Sequence, residues 1–254
     1  MRLLLSLLLL ASTFVANAAP RAEKISWSDG GKTFDGYLVW DDASKAPRPG
    51  LVMVPNWYGV NDHAVAKAKT LAGKDYVILL ADVYGRGLRP ANPDEAGKAS
   101  GAVYADPAAM RSRIRAALAT LRGAAKLAPL DTRRIGAIGF CFGGAVALDL
   151  ARSGADLAGI ASFHGNLGTK MPASAGVLKS PVLVMNTPAG TFRTMFWVDA
   201  NEGYLGGGSI SIPPVIVGSS FIYRTTNSGV SWTTEYLAGD FPVEKIDVMS
   251  GGVG

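Results

Sequence analysis

The sequence predicts an α/β fold: a mostly parallel sheet with helices on both faces, followed by a β-rich segment. Continuous apolar runs such as GLVMVP (50–55) and YVILLAD (76–82) fit strands buried on both sides. Stretches with apolar residues three and four apart separate these runs, so the connections are helical crossovers between parallel strands. After Asn186 the helical spacing stops, and Gly, Ser, Thr, Val and aromatic residues recur between closely spaced turn signals.

The elements follow in order. KISWSDGGKTFDGYLVW, within residues 22–40, alternates apolar and polar residues around SDGG, which predicts a hairpin. Strand 50–55 comes next, then NDHAVAKAKTLAGKD, whose Asn/Asp start and apolar spacing predict a helix. Strand 76–82 precedes the strongest helix signal in the chain: Asp106 as cap, Pro107 in the first turn, and Met110, Ile114, Ala117, Leu118 and Leu121 on one stripe. Strand 134–140, helix 143–154, and strands 157–163 and 180–186 complete the domain. A boundary near residue 187 leaves three segments: 1–19, 20–186 and 187–254.

The amino end reads as a secretory signal. Arg2 precedes a leucine-rich core, and Ala16-Asn17-Ala18 is a small-residue cleavage box, which predicts a mature start near Ala19 or Pro20 and a periplasmic or secreted protein. The apolar core is well below the ~20 residues a membrane span requires, and no later segment reaches that length, so no stable membrane association is expected. One cysteine in 254 residues cannot form an intramolecular disulfide, which leaves Cys141 a free thiol. The net charge of +5 is spread along the chain without interleaved aromatics, apart from short runs at Arg111/Arg113/Arg115 and Arg133/Arg134. Solvated helix faces explain it better than a nucleic-acid partner.

The lone thiol sits in GFCFGG (139–144), between an apolar strand and a helix of small residues. As a strand-to-helix elbow, this stretch would thrust Cys141 out at the carboxyl end of the sheet, above a helix amino terminus that favours negative charge. Gly139 and Gly143 would leave room around the strained nucleophile, and Gly144 would let the helix approach the strand. The structural alternative is a buried, inert cysteine.

GFCFGG after DTRRIGAI, with PNWYGVNDHAVAKAKTLAGKDYVILLADVYGRG upstream and ARSGADLAGIASFHGNL downstream, resembles the dienelactone hydrolase family of α/β-hydrolases over about residues 22–186. The resemblance implies an α/β-hydrolase-type sheet, here truncated before its last strands, and a Cys-His-Asp triad that opens a lactone or small carboxylic ester through an acyl-thiol intermediate, with no metal or organic cofactor. Cys141 falls on the nucleophile, and the backbone amides of Phe142 and Trp57 fall on the oxyanion hole. Asn56 stands where many members carry a glutamate that contacts the thiol, so it is expected to orient the thiol without accepting its proton. Arg86 in VYGRG matches a position that helps some members bind the substrate carboxylate; a surface ion pair is the alternative.

Two partners of the thiol do not follow the family pattern. The triad acid belongs in a Gly-Ala-Asp-Asp-like turn after the strand equivalent to 180–186, where this chain has Asn186, Thr187, Pro188 and Ala189, and no histidine occurs beyond His164. His164, at the carboxyl end of a strand beside the nucleophile strand, is the one candidate base. The family pattern has a histidine there beside the catalytic one. His63 reads as a residue of a helix start, and Asp199 has no warrant as the acid. Loss of both partners removes on the order of 10³-fold or more of the acceleration.

In the tail, TTNSGVSW (225–232) is similar to an Asp-box hairpin, with Asn227 and Gly229 in the turn and Trp232 across it, as in sialidase-like and photosystem-assembly-factor-like β-propellers. At roughly 40 to 45 residues per blade, the tail is about one blade and a part. The sequence therefore predicts an exported thiol hydrolase with weak or absent turnover, its substrate a small-molecule ester or lactone. The alternative is a non-catalytic exported binding protein. It also predicts an exposed apolar edge at strand 180–186.

Overall fold

In the computed structural model, residues 20–43, 45–186, 191–197, 203–209, 219–226, 233–237, 248–249 and 252–253 are described. The signal-like segment 1–19, Asp199 and the turn 227–232 lie outside them.

Alternation in the first hairpin gives β1 (Arg21–Asp29) and β2 (Lys32–Trp40), antiparallel around Gly30 and Gly31, both at positive φ. The apolar runs become β3 (Arg48–Val54) and β4 (Val77–Leu80). Between them α1 (Asp62–Ala72) starts where the Asn61 side chain accepts from the Ala64 amide at 2.9 Å. α3 (Pro107–Gly123) starts on Asp106 in the same way and buries Met110, Ile114, Ala117, Leu118 and Leu121. β5 (Leu130–Phe140), α4 (Phe142–Arg152), β6 (Ile160–Phe163) and β7 (Val182–Met185) follow. β5 starts four residues earlier than the sequence reading placed it, and β6 three residues later.

One helix was not anticipated. α2 (Pro93–Ala105) buries only Ala96, Ala99, Ser100 and Val103, a shallow stripe interrupted by Gly97 and Gly101. Its start is strongly marked: Asn92 Oδ1 accepts from the Glu95 amide, and Glu95 accepts from the Asn92 side chain and the Ala91 amide, each at 2.9 Å. Such a reciprocal cap fixes the first turn where apolar periodicity is weak.

The strands form one seven-stranded sheet in the order β1-β2-β4-β3-β5-β6-β7. The β1–β2 and β2–β4 pairs are antiparallel and the rest parallel. Successive residues of the central strands point to opposite faces. Val52, Val54, Val77 and Leu79 join the core with Ile114, Leu121, Val146 and Leu150. Met53, Ile78 and Leu80 join Ala64, Ala68 and Ala72 of α1 on the other face. This double burial is why the strands read as unbroken apolar runs. At the far edge β7 differs: Val182 and Val184 are 39% and 41% exposed.

Beyond the sheet, β8 (Thr191–Trp197), β9 (Gly203–Ser209), β10 (Ser219–Thr225) and β11 (Thr233–Leu237) form a separate antiparallel sheet in the order β11-β10-β9-β8. A short pair, β12 (Val248–Met249) and β13 (Gly252–Val253), follows.

Candidate active site

β5 passes into α4 through a single residue, Cys141, at φ 53 and ψ −117. A non-glycine residue at positive φ is strained and persists only where its surroundings fix it. Here the Cys141 amide donates to the Phe163 carbonyl at 2.8 Å, and the Cys141 carbonyl accepts from Gly144 at 2.9 Å. The glycines are needed for close approach. A Cβ on Gly139 would collide with the Gly143 carbonyl, and one on Gly143 with the carbonyls of Val54 and Pro55. A Cβ on Gly144 would lie 2.7 Å from Ser162 Oγ and 2.9 Å from Gly165 Cα. The corner is thus wedged between the ends of β3 and β6, with a half-buried free thiol.

The two amides predicted for the oxyanion hole lie on segments that meet at this corner: α4 starts directly after Cys141, and the Val54 and Pro55 carbonyls, just before the Trp57 loop, face Gly143. Phe142 is the first residue of α4, so its N–H has no intrahelical acceptor. Trp57 lies in the loop from β3 to α1. The next two amides of that loop are occupied: Tyr58 donates to Asn56 Oδ1 at 3.1 Å and Gly59 to the Asn56 carbonyl at 2.9 Å. The Trp57 N–H has no acceptor among the described residues.

The aromatic wall beside the thiol was not singled out from sequence. Tyr84 stacks on Phe142 with centroids 5.3 Å apart, and Tyr104 meets the same ring edge-on at 5.3 Å. Burial, followed by the neighbouring Tyr104, Cys141 and Asp82, pushes the Tyr84 phenol well above its ordinary range. Burial and Cys141 raise the Tyr104 phenol in the same direction. Beyond Tyr104 a cavity of about 360 Å³ opens among α2, α3, α4 and the loop after β6, with Met110, Ala145, Arg152, Thr169 and Lys170 in its wall. That volume suits a small organic ligand. Arg111 secures the wall: it makes two bonds to the buried Asp149 carboxylate, at 2.7 and 2.9 Å, and a third to the Met171 carbonyl.

The remaining predicted residues fall as follows. His164 follows β6 directly, and the register pairs Phe140 with Phe163, so His164 stands beside Cys141 at the carboxyl edge. It too has positive φ, 58°, and its amide donates to the Met185 carbonyl at 2.9 Å. Its ring is exposed, and among the described residues no side chain hydrogen-bonds the Cys141 sulfur. Asn56 turns its side-chain oxygen toward its own loop, where it organises the segment carrying Trp57; no bond to the thiol forms. His63, in the first turn of α1, lines a small recess with Asn56, Lys67 and Phe140.

Arg86 is engaged with the first hairpin. Its guanidinium makes two bonds to Asp35, at 2.7 and 2.9 Å, and one to Ser26 Oγ at 3.2 Å, and its amide donates to the Thr33 carbonyl. The Arg86 bonds first, and then a bond donated by the Ser26 hydroxyl at 2.6 Å, hold the Asp35 carboxyl down at about 2. This is the ion-pair arrangement that the sequence reading weighed against substrate binding. At the end of β7, where the family pattern has its acid, the Asn186 side chain donates to the Gly165 carbonyl at 2.7 Å.

Among the described residues no group of three His, Cys, Asp or Glu side chains comes together to hold a metal, and no helix is long and apolar enough to cross a membrane.

A tight strand-to-helix corner at the carboxyl edge of a mostly parallel sheet, with helices on both faces, defines an α/β-hydrolase-like protein. The sequence profile of the dienelactone hydrolase family matches residues 34–193, from β2 into β8, and the chain belongs to that family. Among solved structures, m3DLH is 40% identical with a TM-score of 0.60, over 66% of this chain and 69% of that one. A dienelactone hydrolase-like promiscuous phosphotriesterase from metagenomic libraries is 38% identical with a TM-score of 0.60, over 65% and 68%. A Klebsiella pneumoniae protein assigned as a dienelactone hydrolase, 21% identical with a TM-score of 0.54 over 65% and 72%, shares the fold. No curated protein matches the chain. The family supports a hydrolase acting on a small molecule.

Proposed function

We propose that the protein is an exported thiol hydrolase of lactones or small carboxylic esters, with Cys141 as nucleophile and slow turnover. The observation that carries the reading is the positive φ of Cys141 at a corner whose flanking glycines admit no side chain. The thiolate would attack the substrate carbonyl, forming the C–S bond while the carbonyl oxygen takes the charge between the amides of Phe142 and Trp57. Collapse would expel the alkoxide, and water would then release the acid from the thioester. The 360 Å³ cavity beyond Tyr104 would receive the body of the substrate.

Slow turnover is expected because no described histidine or carboxylate is bonded to the sulfur; His164, at the adjacent strand end, is the nearest substitute for a base. Export rests on the signal pattern in residues 1–19. A second reading is a binding protein that retains a hydrolase frame and makes its contacts through the β-rich tail, whose described strands include a four-stranded antiparallel sheet.

Hydrolysis of a 4-nitrophenyl ester by the purified chain tests the choice. Slow turnover abolished in Cys141→Ala supports the thiol hydrolase. Robust turnover abolished in both Cys141→Ala and His164→Ala would instead make His164 an effective base. No turnover, together with an unreactive thiol, would leave the binding reading.

A further inference from the structure

Tyr84 touches both segments that carry the proposed oxyanion amides. Its hydroxyl donates to the Trp57 carbonyl at 2.7 Å, across 27 residues of sequence, and its ring lies against Phe142 at an interplanar angle of 29°. The Trp57 loop also bends closely over that ring. A Cβ on Gly59, at φ +69, would stand 3.0 Å from Tyr84 Cδ2. Tyr84 is itself fixed from behind, its amide donating at 2.9 Å to Asp82, a carboxylate 1% exposed.

We propose that Tyr84 is a positioning residue of the oxyanion hole: its hydroxyl holds the Trp57 carbonyl, and its ring stacks on the side chain of Phe142. This rests on the thiol hydrolase reading. A carbonyl held by a phenol fixes the rotation of its own residue, and here that residue's N–H is the donor left free by the loop. The loop's other bonds restrain the two peptide planes flanking Trp57 from their far ends, Gly59 at the Asn56 carbonyl and Tyr58 at Asn56 Oδ1, and among the described residues the Tyr84 phenol gives the one hydrogen bond that ties these planes to another element. Misplacing a reacting group by about 1 Å can cost on the order of 10²-fold, so a single hydroxyl in this place has leverage. With its phenol raised by burial, Tyr84 stays protonated and keeps donating across the working pH range.

Tyr84→Phe in the full chain tests the proposal, because it removes the bond to Trp57 and keeps the ring on Phe142. The probe is phenylacetaldehyde. The Cys141 sulfur adds to its carbonyl carbon, the carbon–oxygen π bond becomes a C–O single bond, and the thiol proton ends on that oxygen, which then occupies the hole. Its affinity is read from the slowing of Cys141 alkylation by iodoacetamide, followed by mass spectrometry. Alkylation alone displaces iodide at carbon and makes no oxyanion, so it reports a general change in the thiol or its access.

Tyr84→Phe is expected to weaken the aldehyde by about tenfold, with the uninhibited alkylation rate and the thermal midpoint unchanged. Equal aldehyde affinity in the two proteins would overturn the proposal while leaving Cys141 as nucleophile. A parallel fall in aldehyde affinity and alkylation would also overturn it, by showing a packing role. Failure of the aldehyde to protect Cys141 in the unsubstituted protein would refute the thiol hydrolase reading, and the role of Tyr84 with it.

Discussion

Gly144→Ala measures how tightly the corner is wedged. The added Cβ would lie 2.7 Å from Ser162 Oγ, 2.9 Å from Gly165 Cα and 3.1 Å from Gly165 N. Against an ordinary contact of about 3.5 Å, the first two shortfalls are about 0.8 and 0.6 Å. Neither neighbour yields easily: Ser162 is fully buried in β6, and Gly165 is backbone held by Asn186. Overpacking of this kind costs about 1–3 kcal/mol. A mid-range cost of about 2 kcal/mol, at about 2–4 °C per kcal/mol for a chain of this size, lowers the midpoint by about 4–8 °C. Gly101→Ala is the matched control. Nothing lies within 4 Å of its added Cβ in α2, so the same chemical change is expected to stabilise by about 0.5–1 kcal/mol. Scanning calorimetry of the two variants reads opposite signs. A Gly144→Ala midpoint within 1 °C of the unsubstituted protein would refute the wedge, as would an equal drop in Gly101→Ala.

Other outcomes follow from the ion pairs and the sheet edge. Arg111→Leu leaves the Asp149 carboxylate, 1% exposed, without its charge partner, and is expected to cost about 3–5 kcal/mol in urea unfolding; a loss below 1 kcal/mol would show that the pair carries little. Asp35 has a folded pKa near 2, below its ordinary 3.8, so its bonds stabilise above pH 4 and are lost as pH falls toward 2. Asp35→Asn should therefore flatten the fall in thermal midpoint over that window, and an unchanged profile would place the acid sensitivity elsewhere. Val182→Lys with Val184→Lys is expected to reduce light scattering on heating, with stability changed by only about 0.5 kcal/mol, since both side chains are already exposed. A large destabilisation would mean that this face packs against something.

Much of the sheet was legible because its central strands are buried twice over. Val52, Met53 and Val54 alternate between the two cores, so no polar residue interrupts them. α2 escaped for the opposite reason: its inward face is mostly alanine and serine, which leaves no stripe to count, although Asn92 and Glu95 marked its start. The corner at Cys141 was readable because close backbone approach demands glycine at particular offsets. The contacts around it were not. Tyr84 reaches Trp57 and Phe142 only through the fold, and the hairpin partners of Arg86 lie more than fifty residues away in sequence. Asn56 showed a further limit, because a side chain that resembles a thiol partner by position serves as a turn-former by geometry.

The first hairpin sits at the edge of the sheet, with β4 and β3 between it and the strand that carries Cys141. Yet the loop after β4, which bears Tyr84, is latched to it. Arg86 reaches Asp35, Ser26 and the Thr33 carbonyl, Arg89 bonds the Asp35 carbonyl, and the Asp35 amide donates to Asp82. The hairpin therefore works as a hasp on the floor of the thiol corner. Contacts spanning some fifty residues carry a larger loop-closure cost than local ones, so the latch depends on the rest of the sheet being in place. A change in the amino-terminal hairpin therefore has a bonded route to the loop that bears Tyr84.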